Sequence, residues 1–143
     1  MCRIGFGSVF LCVSLAVVIA SSIKDDGSTR LLKRYRMECI EETRVEPAYV
    51  IKAQQGEWFI PLDRVQLVKD WALCVFMKTG LMTKQGVYKI DAAIARIPAS
   101  DRNVVETLID SCLSKKAIPA PDIAFNFARC YQKTKGNPAV NIV

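Results

Sequence analysis

Between Asp63 and Met82 the chain reads DRVQLVKDWALCVFMKTGLM, and its apolar residues recur at helical spacing. Val65, Val68, Trp71, Ala72 and Val75 form one stripe, while Leu67, Cys74, Met77 and Leu81 approximate a second. A helix that is apolar on two sides lies between neighbours rather than on a surface. Asp63 is placed to cap this helix, because a short carboxylate accepts from the free amides of a first turn. Gly80 is the expected left-handed stop.

The flanking segments supply the neighbours. On the N-terminal side, a helix is expected over Thr29–Arg44, with Ser28 or Thr29 as cap. Leu32, Tyr35, Cys39 and Thr43 fall on one side of it. Pro47 is expected to stop it, and the chain from there to Pro61 reads as irregular. In that stretch the apolar trio Trp58, Phe59 and Ile60 is expected to tuck under the fold. On the C-terminal side, a turn at Thr83–Gly86 leads to a short helix with Ile90, Ala93, Ile94 and Ile97 inward and Pro98 at its end. Ser100 or Asp101 then caps a helix carrying Val105, Leu108, Ile109 and Cys112 on one face. Asp101, Arg102, Glu106 and Asp110 point outward, and Lys115 and Lys116 are expected in its last turn, where the helix dipole favours cations. Pro121 suits the first turn of a final helix, where a missing amide costs nothing. Ile123, Phe127, Cys130 and Tyr131 form its inner face, with Asn126, Arg129 and Lys133 outside. No segment alternates as strands do. The expectation is all-α, with about six short helices.

The 143 residues include 20 Lys+Arg, 14 Asp+Glu, six Cys and no His. Lacking His, the chain is barred from Ser-His-Asp and Cys-His nucleophilic sites, from His-ligated metals and from imidazole-based pH switching. Glu41–Glu42 and Asp25–Asp26 are sequence neighbours that point apart on a helix, so they make no shared acid/base site. No enzyme, cofactor or metal site is expected. The cluster Arg30, Lys33, Arg34 and Arg36 reads as a solvated helix face. Attraction to anionic membrane surfaces or acidic partners is its alternative reading. Nucleic-acid binding would need stacking aromatics or a known module, and neither is evident.

Before Lys24 the only charge is Arg3, and Ile4–Ala20 is almost wholly apolar. That core is shorter than the ~20 residues of a membrane span and ends in small residues, Ala20, Ser21 and Ser22. It reads as a cleaved secretory signal over residues 1–22, with a retained signal anchor as the alternative; cleavage would leave one domain over 23–143 that is secreted and not membrane-inserted. Cys2 and Cys12 leave with it, and loss of Arg3 lowers the net charge from +6 by one. Cys39, Cys74, Cys112 and Cys130 remain. In an oxidising compartment four cysteines imply two disulfides, with three connectivities open.

The spacing of these cysteines resembles a known framework. Thirty residues separate Cys39 from Asp70, and Cys74 lies four beyond Asp70. Thirty-seven residues separate Cys74 from Cys112; eight separate Cys112 from Pro121, and eight more separate Pro121 from Cys130. This is similar to the six-cysteine pattern of the insect odorant-binding proteins, the pheromone/general odorant-binding family. Asp70 and Pro121 stand where that pattern has its second and fifth cysteines. Those two bond to each other in the family, so one complete bridge is absent and no orphan thiol remains, as in the "minus-C" subclass. Cys74–Met82 (CVFMKTGLM), Gly86, Lys89–Asp91 and Val105–Cys112 (VETLIDSC) add to the resemblance, which covers the whole mature chain.

The resemblance implies a bundle of six helices around an apolar cavity that carries odorants, pheromones or related lipids through aqueous fluid. It implies bridges Cys39–Cys74 and Cys112–Cys130, and a freer seam between the third and sixth helices, where the third bridge is absent. Candidate cavity residues are Phe59, Trp71, Phe76, Leu81, Met82, Tyr88, Ile94, Leu108, Ile109, Phe127 and Ile142, with the hydroxyl of Tyr88 or Tyr131 to orient a ligand. The same stripes would equally serve as ordinary core. The tail Ala139–Val143 would either fold over the cavity mouth or fray. Acid release, often proposed for the family, would here fall to carboxylates such as Asp63, Asp70 or Asp91. The expected partners are small hydrophobic molecules and an olfactory receptor, and the protein is expected to be a monomer or weak homodimer. The rival reading is a secreted, disulfide-stabilised helical interaction protein with a filled core.

Overall fold

The computed structural model describes residues 27–134. The signal segment, Ile142 and the tail Ala139–Val143 lie outside the described residues. Six helices follow in order: α1 (Gly27–Thr43), α2 (Pro47–Gln54), α3 (Leu62–Lys78), α4 (Ile90–Ile94), α5 (Arg102–Cys112) and α6 (Ala120–Thr134). Among the described residues there is no strand, only an isolated bridge between Met82 and Tyr88.

α3 is the central element. It buries Val68, Trp71, Ala72, Val75 and Phe76 between α1 and α6. The second expected stripe is only partly inward: Leu67 and Cys74 pack against the core, Leu81 is buried beyond the helix end, and Met77 is exposed. Gly80 takes φ +73° and turns the chain away, as expected. The expected Asp63 cap is not made: Pro61 occupies the cap position, and Asp63 sits inside the first turn, where its charge still complements the dipole. Ser28 and Thr29 likewise lie within α1, not ahead of it.

α1 ends before Pro47. Arg44 takes a left-handed φ of 58° and breaks the ladder, and Pro47 then opens α2 as a first-turn residue. The stretch read as irregular therefore contains an eight-residue helix burying Val50 and Ala53. The apolar trio divides. Ile60 is buried and Trp58 half-buried, its ring 5.2 Å edge-on to Phe125 and its Nε1 donating to Gln132 Oε1 at 2.6 Å. Phe59 is 95% exposed, because the extended backbone alternates its side chains and the two neighbours face inward.

The C-terminal helices form as expected but shorter, and two of their expected end contacts are not made. α4 stops at Ile94, and Ile97 is buried from the turn that follows. α5 buries Val105, Ile109 and Cys112 and exposes Asp101, Arg102, Glu106 and Asp110. Asp101 occupies its cap position without a side-chain cap bond. Lys115 and Lys116 lie beyond its end at Cys112, so they do not sit in its last turn. α6 carries Pro121 in its first turn and buries Phe127 and Tyr131, adding Ala124, Phe125 and Ala128 to the expected face. Two disulfides form, Cys39–Cys74 between α1 and α3 and Cys112–Cys130 between α5 and α6.

Candidate functional site

The candidate cavity residues converge, but on a closed core. Trp71, Phe76, Leu81, Met82, Tyr88, Ile109 and Phe127 are all buried within one apolar cluster. Ile94 and Leu108 pack against it half-buried. Phe59 does not join it.

Its centre is aromatic. Phe127 on α6 lies 5.7 Å from Phe76 on α3, 4.4 Å from Tyr88 and 5.8 Å from Tyr131, centroid to centroid. Edge-on and offset rings of this kind gain about 0.5–1.5 kcal/mol per pair beyond their buried area. The turn after α3 delivers Met82 and Tyr88 to the cluster. Thr83 N donates to Val87 O at 2.9 Å and Lys89 N to Leu81 O at 2.7 Å, closing a tight loop. Gly86 at its tip, φ +85°, comes so close to α6 that a Cβ there would meet Ile123 Cδ1 at 2.9 Å and Ala120 Cα at 3.0 Å.

Two polar atoms in this interior have no hydrogen-bond partner, the hydroxyls of Tyr88 and Tyr131. Burial raises the pKa of both phenols, and for Tyr88 the Tyr131 hydroxyl raises it further. Both hydroxyls are therefore neutral at physiological pH and free to donate or accept. A buried hydroxyl without a partner costs about 1–3 kcal/mol, so a polar group placed between them would recover that cost.

A second feature lies elsewhere. Between α1 and α2 runs a half-open trough of about 650 Å³, lined by Leu32, Met37, Ile40, Pro47, Val50 and Ile51 with Lys33 and Arg36. None of the ten candidate cavity residues that are described lines it. Leu32, Arg36 and Ile40 recur every four residues, which puts a guanidinium inside an apolar stripe, but only the packing of α2 beside α1 makes that stripe a trough wall. The basic cluster of α1 is thus not one solvated face. Arg34 pairs with Glu38 at 2.7 Å, whereas the Arg36 Nε is buried and has no hydrogen-bond partner.

None of the carboxylates suggested for acid release is buried. Asp63 and Asp91 are exposed, and Asp70 is half-buried, accepting from Gln66 Nε2 at 2.9 Å. Among the described residues no group of His, Cys, Asp or Glu could hold a metal ion, and no helix is long and apolar enough to cross a membrane.

The arrangement is that of an apolar helical core pinned by two disulfides, and the pheromone- and odorant-binding family model matches the chain over residues 24–134. The chain belongs to the PBP/GOBP family. It is 23% identical to general odorant-binding protein 69a of Drosophila melanogaster, over 73% of this chain and 69% of that protein. It is 27% identical to odorant-binding protein 22 of Aedes aegypti, over 87% of this chain and 89% of that protein. Among solved structures it resembles the medfly odorant-binding protein CcapOBP22/CcapOBP69a, with a TM-score of 0.58 and 26% identity. That match covers 75% of this chain and 88% of the medfly chain. As a PBP/GOBP member, the chain has the all-α, two-disulfide architecture expected from its sequence.

Proposed function

We propose that this PBP/GOBP protein is a secreted carrier of small hydrophobic molecules, of the minus-C type, with residues 1–22 as its cleaved signal. The ligand sits among Phe76, Met82, Tyr88, Ile109 and Phe127 and places a hydroxyl, carbonyl or ester oxygen between Tyr88 and Tyr131. The observation that carries this reading is the pair of partnerless hydroxyls in an otherwise apolar aromatic core. A core built only for packing would favour Phe at such positions, since an unsatisfied hydroxyl destabilises it. Binding itself needs no chemistry: each Å² of apolar ligand surface removed from water contributes ~25 cal/mol. Delivery to an olfactory receptor, by a monomer or weak dimer, follows from the same reading.

The rival reading, an interaction protein with a filled core, is favoured by one observation. Trp71, Phe76, Ile109 and Phe127 are almost wholly sealed from solvent. Titration of the oxidised protein with an apolar fluorescent probe separates the two, followed by displacement with volatile alcohols, esters and terpenes. Saturable micromolar uptake, weakened in Tyr88→Phe/Tyr131→Phe for alcohols and esters but not for pure hydrocarbons, supports the carrier. No uptake by a folded, two-disulfide protein assigns the function to protein–protein interaction.

A further inference from the structure

The α1–α2 trough has the features of a second binding site. Its volume falls within the ~300–1,000 Å³ of small-molecule pockets. Its walls carry Leu32 and Ile40 from α1 and Val50 and Ile51 from α2, with Ser28, Thr29 and Gln54 adding polar groups. Its charges are of one sign. Lys33 stands exposed at the rim and Arg36 lies half-buried within the stripe. Among the described residues, two nearby acids on α1 are engaged elsewhere: Glu38 accepts from Arg34 and Lys78, and Glu42 pairs with Lys78. Trp71 Nε1 donates to the Arg36 carbonyl at 3.3 Å, which fixes the backbone from which this guanidinium projects. Burial also lowers the Arg36 pKa, the mark of a cation held partly away from water without full compensation.

We propose that this trough binds the monomeric anion of a long-chain carboxylic acid, with the carboxylate on Arg36 and Lys33 and the alkyl chain between Leu32, Ile40, Val50 and Ile51. The chemistry fits on both counts. A guanidinium presents parallel donors to a carboxylate, and the aliphatic walls take the chain out of water. A neutral odorant would leave Arg36 unsatisfied, and a purely polar anion would leave the walls exposed. The trough backs onto the same core through Val50, Leu32 and Ile40, but none of Phe76, Met82, Tyr88, Ile109, Phe127 and Tyr131 lines it, and it does not depend on their forming a ligand chamber.

The test is isothermal titration of the oxidised protein with dodecanoate below its aggregation concentration, alongside methyl dodecanoate and dodecanol. Dodecanoate is expected to bind about tenfold more tightly than its ester, the size of one hydrogen bond to a charged group. Arg36→Met is expected to remove that preference while leaving ester binding unchanged. Ile51→Glu places an anion on an exposed wall, so it leaves the fold intact and is expected to weaken dodecanoate about tenfold. Tyr88→Phe/Tyr131→Phe is expected to leave dodecanoate untouched. Equal affinity for acid and ester overturns the proposal, as does a loss that follows the tyrosines. So does binding to anionic lipid vesicles with no binding of the monomeric acid, or dodecanoate affinity unaffected by Ile51→Glu when Arg36→Met fails to fold.

Discussion

The two long faces of α3 are held in opposite ways. Against α1 it is fixed by the Cys39–Cys74 bond, by Lys78 reaching Glu38 at 3.1 Å and Glu42 at 2.7 Å, and by the Trp71–Arg36 hydrogen bond. Against α6 it relies on packed apolar surface and on a single ion pair, Lys69 Nζ to Asp122 Oδ1 at 2.6 Å. Those two residues adjoin Asp70 and Pro121, the positions where the family framework has its other bridge. A covalent tie restricts the unfolded chain and leaves the native helices no freedom to part. Packing and one partly exposed ion pair hold the native state but let it open at modest cost. The α1 face is therefore the more tightly fixed one, and on the proposed carrier reading a guest would enter by the α6 face, which carries Phe127 and Tyr131.

The contrast can be broken most severely from the rigid side. Replacing Cys39 and Cys74 by Ser removes a link spanning 35 residues and is expected to cost about 4 kcal/mol, against about 3 for Cys112 and Cys130, which span 18. Denaturant midpoints of the two variants measure the difference. The opposite experiment adds a bond to the looser face. Asp70→Cys/Pro121→Cys is expected to gain about 2 kcal/mol and to slow amide exchange in α3 and α6 together, with slower probe entry. Unchanged exchange in both helices would show that the face was never the freer one. Gly86→Ala presses a Cβ into Ile123 and Ala120 at a positive φ and is expected to cost about 1–2 kcal/mol, read from the melting temperature. A double-mutant cycle on Lys69→Ala and Asp122→Ala is expected to return a coupling of only about 0.5–1 kcal/mol, since both side chains are about a quarter exposed. The smallest effect is in pH. Hydrogen bonds from Arg34 and then Lys78 hold the Glu38 carboxyl below its ordinary 4.5. Its contribution is complete above that value and is lost as pH falls through the lower folded pKa. Glu38→Gln is therefore expected to lower stability slightly at neutral pH and to match the parent below the folded pKa, which flattens the acid limb of the stability curve.

The sequence carried the helices whose apolar residues recur over three turns or more, because periodicity needs length to be seen. α3, α5 and α6 are legible for that reason, and so is the Gly80 stop, where only the left-handed backbone will serve. α2 was not. At eight residues it offers barely two turns, and Pro47 reads equally as the end of one helix and the start of another. Phe59 misleads because an apolar residue in a connection usually turns inward, yet extended backbone sends every second side chain outward. For the binding core, burial was legible and vacancy was not: a stripe looks the same whether it faces a chamber or a packed neighbour. Arg36 was hidden for another reason. Its meaning depends on α2 closing over α1, a tertiary contact that the α1 sequence does not encode.

The two disulfides enclose separate stretches of chain, residues 39–74 and 112–130, which do not overlap in sequence. The segment between Cys74 and Cys112 is therefore crossed by no covalent link. It includes Lys84 and Lys89, both exposed beside the Gly86 turn. A single tryptic cut there would leave two disulfide-closed fragments joined only by folding, and a non-reducing denaturing gel would resolve them as two bands. A bond from position 70 to position 121 would span the cut and keep them as one, so the same nick that merely marks a three-bridge chain would divide this one in half.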